Sequence, residues 1–147
     1  MKALIVYDSV YGNTEKIAKS IGGAVTGDVK VLQIGEVNPS ELASIDLLVI
    51  GSPTHGGRPT PAIQDFINKI PAVNGINVAA FDTRLSMKLV GIFGYAAGRI
   101  ADNLKRKGGI LIASPEGFFV KGTKGPLKDA EIERAADWAK AIVKSKK

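Results

Sequence analysis

The stretch Asp8-Ser9-Val10-Tyr11-Gly12-Asn13-Thr14 follows a short apolar run, Ala3-Leu4-Ile5-Val6-Tyr7, and leads into Ile17, Ala18, Ile21, Ala24 and Val25 at helical spacing. A loop of short polar residues between a strand and a helix has the chemistry of a phosphate cradle. The first backbone N–H groups of a helix have no intrahelical acceptor, and the helix dipole adds partial positive charge there, so an anion can take up those donors. Gly12 lets the chain pass close to such a group without a Cβ, and the Ser9, Asn13 and Thr14 side chains add donors. Residues 9–14 contain no lysine or arginine, so a phosphate there relies on neutral dipoles. The same residues also suit an ordinary helix cap, with Asn13 or Thr14 at the N-cap position. The loop by itself does not separate the two readings.

Two further segments carry polar residues after apolar runs. Gly51-Ser52-Pro53-Thr54-His55-Gly56-Gly57 follows Leu47-Leu48-Val49-Ile50, and Asp82-Thr83-Arg84 follows Asn77-Val78-Ala79-Ala80-Phe81. Other chemistries lack their residues. Cysteine is absent and histidine occurs once, which removes disulfides, thiol nucleophiles, iron–sulfur ligation and multi-histidine metal sites. The first loop has no G-x-G-x-x-G, and G-x-x-x-x-G-K-[ST] and G-x-S-x-G are also missing. The end of the third apolar run reads Gly51-Ser52-Pro53, so it has no acceptor aspartate of the kind a receiver domain places there.

The elements that must position these loops form a repeating pattern of short β-branched run, turn and amphipathic stretch. Strands are expected at residues 3–7, 29–34, 47–50, 77–81 and 110–113. Asn38-Pro39-Ser40-Glu41 opens a short helix with Pro39 in its first turn. A helix is expected over 62–70, and Ala96, Ala97, Ile100 and Leu104 stripe another that Gly108-Gly109 closes. Ile132, Ala135, Ala136, Ala139, Ile142 and Val143 stripe the last. Strands alternating with helices imply an α/β domain with a parallel sheet, right-handed crossovers and helices on both faces. Ligands bind such sheets outside the carboxyl ends of the strands, where the strand order reverses. The loops after strands one, three and four are therefore the candidate site.

The 147 residues suit a single domain over 1–147, with 45% apolar and 23% charged residues in an ordinary globular balance. The apolar runs fall far short of the roughly 20 residues that span a bilayer, and a cytoplasmic location is expected. Residues 1–83 carry 6 Lys/Arg against 8 Asp/Glu, and residues 84–147 carry 14 against 6. The basic clusters Lys105-Arg106-Lys107 and Lys144-Ser145-Lys146-Lys147 fall at expected helix C-termini, where cations suit the dipole. That placement gives no specific nucleic-acid site and leaves an acidic protein partner open.

The segment Tyr7-Asp8-Ser9-Val10-Tyr11-Gly12-Asn13-Thr14-Glu15 resembles the FMN phosphate loop of the flavodoxin family, Ser/Thr-x-(Thr or aromatic)-Gly-x-Thr, immediately after strand one. Residues 51–57 resemble the family's second flavin loop. Phe81-Asp82-Thr83-Arg84 and Gly117-Phe118-Phe119-Val120-Lys121-Gly122 resemble a less studied branch rather than the acidic electron carriers. The resemblance implies a flavodoxin-like three-layer sandwich, with a five-stranded parallel sheet in the order 2-1-3-4-5, and FMN as cofactor. It implies that Ser9, Val10, Tyr11, Gly12, Asn13 and Thr14 hold the phosphate. Pro53, Thr54, His55, Gly56 and Gly57 would follow the flavin edge, and Asp82, Thr83 and Arg84 would close the pyrimidine side. His55 stands where family members often place tryptophan; Phe93, Tyr95, Phe118 and Phe119 are the other aromatics that could cover the ring, but they read as core residues instead. Gly56-Gly57 matches the peptide that turns over beside flavin N5 on reduction, and Arg58 and Arg84 would favour reduced flavin by their charge. The function implied is electron transfer to a redox protein partner. The alternatives are an FMN-dependent NAD(P)H:quinone-type reductase and an interaction module with weak or lost FMN binding.

Overall fold

The computed structural model describes residues 1–85 and 95–146. In chain order the elements are β1 (Lys2–Tyr7), α1 (Asn13–Ala24), β2 (Asp28–Gln33), two 3-10 turns (Ile34–Glu36 and Pro39–Ser44), β3 (Leu47–Pro53), α2 (Pro61–Lys69), β4 (Asn77–Leu85), α3 (Ala96–Arg106), β5 (Ile110–Leu111), β6 (Glu116–Val120) and α4 (Glu131–Lys144). All strands are parallel, in the order β2-β1-β3-β4-β5, with β6 also on β4.

The apolar runs are explained by burial on both faces. Along β1, Ala3, Ile5 and Tyr7 pack under α1 and α4, while Leu4 and Val6 pack on the opposite side with α2 and α3. β3 and β4 divide in the same way, Val49 and Phe81 on the first side, Ile50 and Ala80 on the second. A strand covered by helices on both sides needs a continuous apolar run rather than alternation. The helical stripes meet these faces: Ile17, Ala18 and Ile21 of α1 are buried with Ala135, Ala139 and Ile142 of α4, and Ile100 and Leu104 of α3 with Ile63 and Ile67 of α2. None of the helices among the described residues is long and apolar enough to cross a membrane.

Two expectations from the sequence are corrected. The fourth strand does not end at Phe81 but continues to Leu85, because Asp82 and Thr83 pair with Ser52 and Pro53 on one side and with Gly117 and Phe118 on the other. Ladders on both sides satisfy backbone groups that a loop would have left to solvent. The fifth strand position holds two pieces. Val78 lies opposite Leu111 and Phe81 opposite Glu116, so residues 112–115 bulge out against Ala79 and Ala80. Pro115, without an N–H, lies in the interruption. Phe118 then inserts into the core in edge-to-face contact with Phe81 and Trp138, at centroid distances of 6.1 Å to each. Residues 116–120, to which the sequence reading assigned no strand, thus complete the fifth position.

Candidate functional site

The first loop is organised by Ser9, whose Oγ accepts the N–H groups of Gly12 (3.1 Å) and Glu15 (3.3 Å). Gly12 occupies the N-cap position of α1 at φ 94° and has no side chain to cap the helix, so Ser9 serves the Glu15 N–H in its place. Asn13 and Thr14 therefore lie inside the first turn and are not caps. The Asn13 amide donates to the Lys124 carbonyl at 3.2 Å, and the Thr14 hydroxyl lies 2.8 Å from that of Thr83. Among the described residues the backbone N–H groups of Val10, Tyr11, Asn13 and Thr14 have no acceptor. Asn13 and Thr14 are buried, whereas Val10 and Tyr11 are about half exposed on the rim.

Polar bonds bind the second loop to the first. The Asp8 N–H donates to the Gly51 carbonyl at 3.1 Å, and the Thr60 hydroxyl donates to the Asp8 carboxylate at 2.6 Å. His55 and Arg58 exchange two backbone hydrogen bonds, at 2.9 and 3.1 Å, around Gly56 (φ 58°) and Gly57 (φ 79°). Positive φ at both central residues is the pattern of a type I′ turn, which glycine enters without strain. The Gly57 carbonyl accepts from Arg99 Nε on α3 at 2.9 Å. His55 and Arg58 point to solvent.

The third segment is held differently. Asp82 is wholly buried, and Arg84 grips its carboxylate with two bonds, Nε to Oδ1 at 2.7 Å and a terminal nitrogen to Oδ2 at 2.8 Å. The Ala97 N–H in the first turn of α3 donates to the same carboxylate at 2.9 Å. The Thr54 hydroxyl oxygen accepts the neighbouring Ala96 N–H at 3.3 Å. Burial pushes the Asp82 carboxyl above its ordinary value, and the Arg84 bonds and charge pull against that without overcoming it. The Arg84 guanidinium lies 3.4 Å from the centre of the Tyr95 ring and crosses Gly117, where any Cβ would collide with it. Asp82 and Arg84 therefore neutralise one another while tying β4 to α3.

These segments enclose a cleft of about 460 Å³ at the carboxyl ends of the strands, between β1 and β3 where the order reverses. Of the residues singled out in the sequence, Ser9, Val10, Tyr11, Asn13, Thr14, Pro53, Thr54, His55, Thr83 and Arg84 line it, while Gly12, Gly56, Gly57 and Asp82 lie behind or beside its wall. Leu85, Val120 and Thr123 also line it and went unrecognised. Their signal was the turn-rich segment Gly122-Thr123-Lys124-Gly125-Pro126, which becomes informative only once residues 116–120 are known to be a strand. Of the other aromatics, Phe118 is core, Tyr95 is stacked on Arg84, Phe119 lies near Lys128 and Arg134, and Phe93 falls outside the described residues. No cluster of potential metal ligands exists among the described residues.

Fold and cleft together define a doubly wound α/β protein with a loop of unpaired backbone N–H groups at its topological switch point. Residues 4–109 match the flavodoxin domain, and the chain belongs to that family. It is 35% identical over 86 residues to a probable flavodoxin 1 of Bacillus subtilis (strain 168), a match covering 54% of each protein, so the alignment spans about half the length of that relative. Its fold is that of oxidised flavodoxin 1 from Bacillus cereus, with a TM-score of 0.81, 22% identity and 98% of both chains covered. A flavodoxin from the domain Archaea superposes over 100% of both chains, with a TM-score of 0.82 and 22% identity.

Proposed function

We propose that this chain binds FMN in the cleft and serves as an electron carrier. The observation that carries the reading is the set of backbone donors at Val10, Tyr11, Asn13 and Thr14, which lack acceptors beside a cleft with one internally neutralised cation. Such donors fit a phosphate, and the Ser9 hydroxyl and one hydroxyl of the Thr14–Thr83 pair each keep a proton that suits the same group. Residues 9–14 would hold the phosphate, Pro53, Thr54 and His55 the flavin edge, and Thr83 and Arg84 the opposite wall. Asp82 acts through Arg84 as a positioning residue. FMN, when bound, supplies the ability to take up and release single electrons.

The chain's own contribution is to fix and desolvate the site. The Asp8–Thr60, Thr14–Thr83 and Asn13–Lys124 bonds each join separate segments, so the cleft wall is preformed. At the turn 55–58, the central peptide between Gly56 and Gly57 can reverse, converting type I′ into type II′, since neither residue has a Cβ to oppose it. Arg99 holds the following carbonyl and so confines the reversal to that one peptide.

The electron-carrier reading is tested with the FMN-loaded protein and NADPH under aerobic conditions. A carrier is bleached slowly or not at all by NADPH alone and cycles only when a separate reductase is supplied. Sustained NADPH oxidation by the protein alone, accelerated by a soluble quinone, would replace the carrier with a reductase.

A further inference from the structure

Beyond the cleft, a second open groove of about 650 Å³ runs from the turn 55–58 along the outer side of α3. It is lined by three arginines, Arg58, Arg99 and Arg106, against one carboxylate, Asp102. Arg99, Asn103 and Arg106 follow an i, i+4, i+7 pattern, which aligns them on one helix face over about 10 Å. Arg106 donates to the Asn103 amide oxygen at 3.1 Å, and Arg99 is tied to the Gly57 carbonyl, so the row is held in place. Arg58 and Arg106 are exposed, and neither takes part in an ion pair among the described residues.

We propose that this groove docks an acidic segment of a partner protein, with carboxylates meeting the row Arg58–Arg99–Arg106. A row of guanidiniums this long exceeds a single small anion and matches successive carboxylates on a helix or extended chain. Arginine is the side chain best suited to paired hydrogen bonds with carboxylate. The lining contains no aromatic ring on which a nucleic-acid base could stack, so it lacks the platform of a single-strand site. The groove abuts the turn 55–58 through Arg58 and Arg99, so a docked segment lies at the border of the proposed flavin cleft. Its use in electron transfer rests on the carrier reading, whereas the docking itself does not.

The test titrates a decaglutamate peptide into isotope-labelled protein, both FMN-free and after incubation with FMN, and follows amide and arginine Nε–H resonances. Perturbations are expected at Arg58, Gln64, Arg99, Asn103 and Arg106. Joint substitution R58E/R106E should weaken binding by about tenfold or more, R58Q/R106Q by less, and the equal charge change K144E/K146E by less than about twofold. Equal losses in the two charge-reversed proteins would reduce the effect to net charge and overturn the proposal. So would an absence of perturbation in the groove, or tighter binding there of a ten-residue oligothymidylate. Because the FMN-free protein is measured as well, failure of FMN binding leaves this outcome readable.

Discussion

Replacing Arg84 by methionine keeps much of its aliphatic bulk but removes both bonds to the Asp82 carboxylate, a group with no exposure to solvent. Breaking a buried pair by removing one partner costs about 3–5 kcal/mol. The Ala97 N–H still serves the carboxylate, which favours the lower end, while loss of the stack on Tyr95 adds about 1 kcal/mol. The expected loss of stability near neutral pH is therefore about 4 kcal/mol. Its pH dependence has a definite sign. The folded Asp82 carboxyl already lies above its unfolded value because burial dominates, and without Arg84 it moves higher. A carboxyl raised in the folded state favours folding below its unfolded value, and that contribution is lost as pH rises through the folded one. The variant should thus approach the parent in stability as pH falls from about 7.5 to about 5, and adding Asp82→Asn should recover more than half of the loss. Urea unfolding of the three proteins at both pH values measures this. A loss below about 1 kcal/mol, or one that is the same at both pH values, would refute the role given to the pair.

Thr14→Val leaves the buried Thr83 hydroxyl without its partner and removes a donor from the first loop, so stability should fall by about 1–2 kcal/mol and FMN affinity by about tenfold, read by unfolding and fluorescence titration. Gly51→Ala places a Cβ inside the Phe81 ring, and displacing that ring from Phe118 and Trp138 should destabilise by about 3 kcal/mol with a loss of near-ultraviolet dichroism. Glu131 accepts the Phe119 N–H at 2.7 Å and two bonds from Arg134, the largest reason its carboxyl lies below the ordinary value. Its stabilisation is present above the unfolded carboxylate value and is lost as pH falls through the lower folded one, so Glu131→Gln should cost about 1–3 kcal/mol at neutral pH and little in acid.

The doubly wound architecture was legible because apolar runs of four or five residues and helical stripes such as Ile132, Ala135 and Ala139 each have one physical use. The extent of β4 was not. Asp82-Thr83-Arg84 is polar and resembles a loop, and only the flanking β3 and β6 turn it into strand. That strand also accounts for Asp82, whose partner at Ala97 cannot be found by reading along the chain. Similarly, the tandem fifth strand depends on a bulge at 112–115 that no periodicity announces. The loop leading from β1 into α1 was legible, since a polar strand-to-helix connection is a local feature. What the structure adds there is the division of labour. Ser9 shapes the loop and Asn13 and Thr14 fasten it, which leaves the backbone N–H groups for an anion.

On the proposed reading, that division of labour makes the phosphate group the decisive part of the ligand. Titrating FMN and riboflavin separately into the flavin-free protein, with quenching of flavin fluorescence as the signal, tests it most directly. One equivalent of FMN should bind, and riboflavin, which lacks the phosphate, should bind at least about a hundredfold more weakly, as expected from losing two or more charge-assisted hydrogen bonds. Equal affinity for the two flavins, or binding of neither, would contradict the assignment of residues 9–14 as the phosphate cradle.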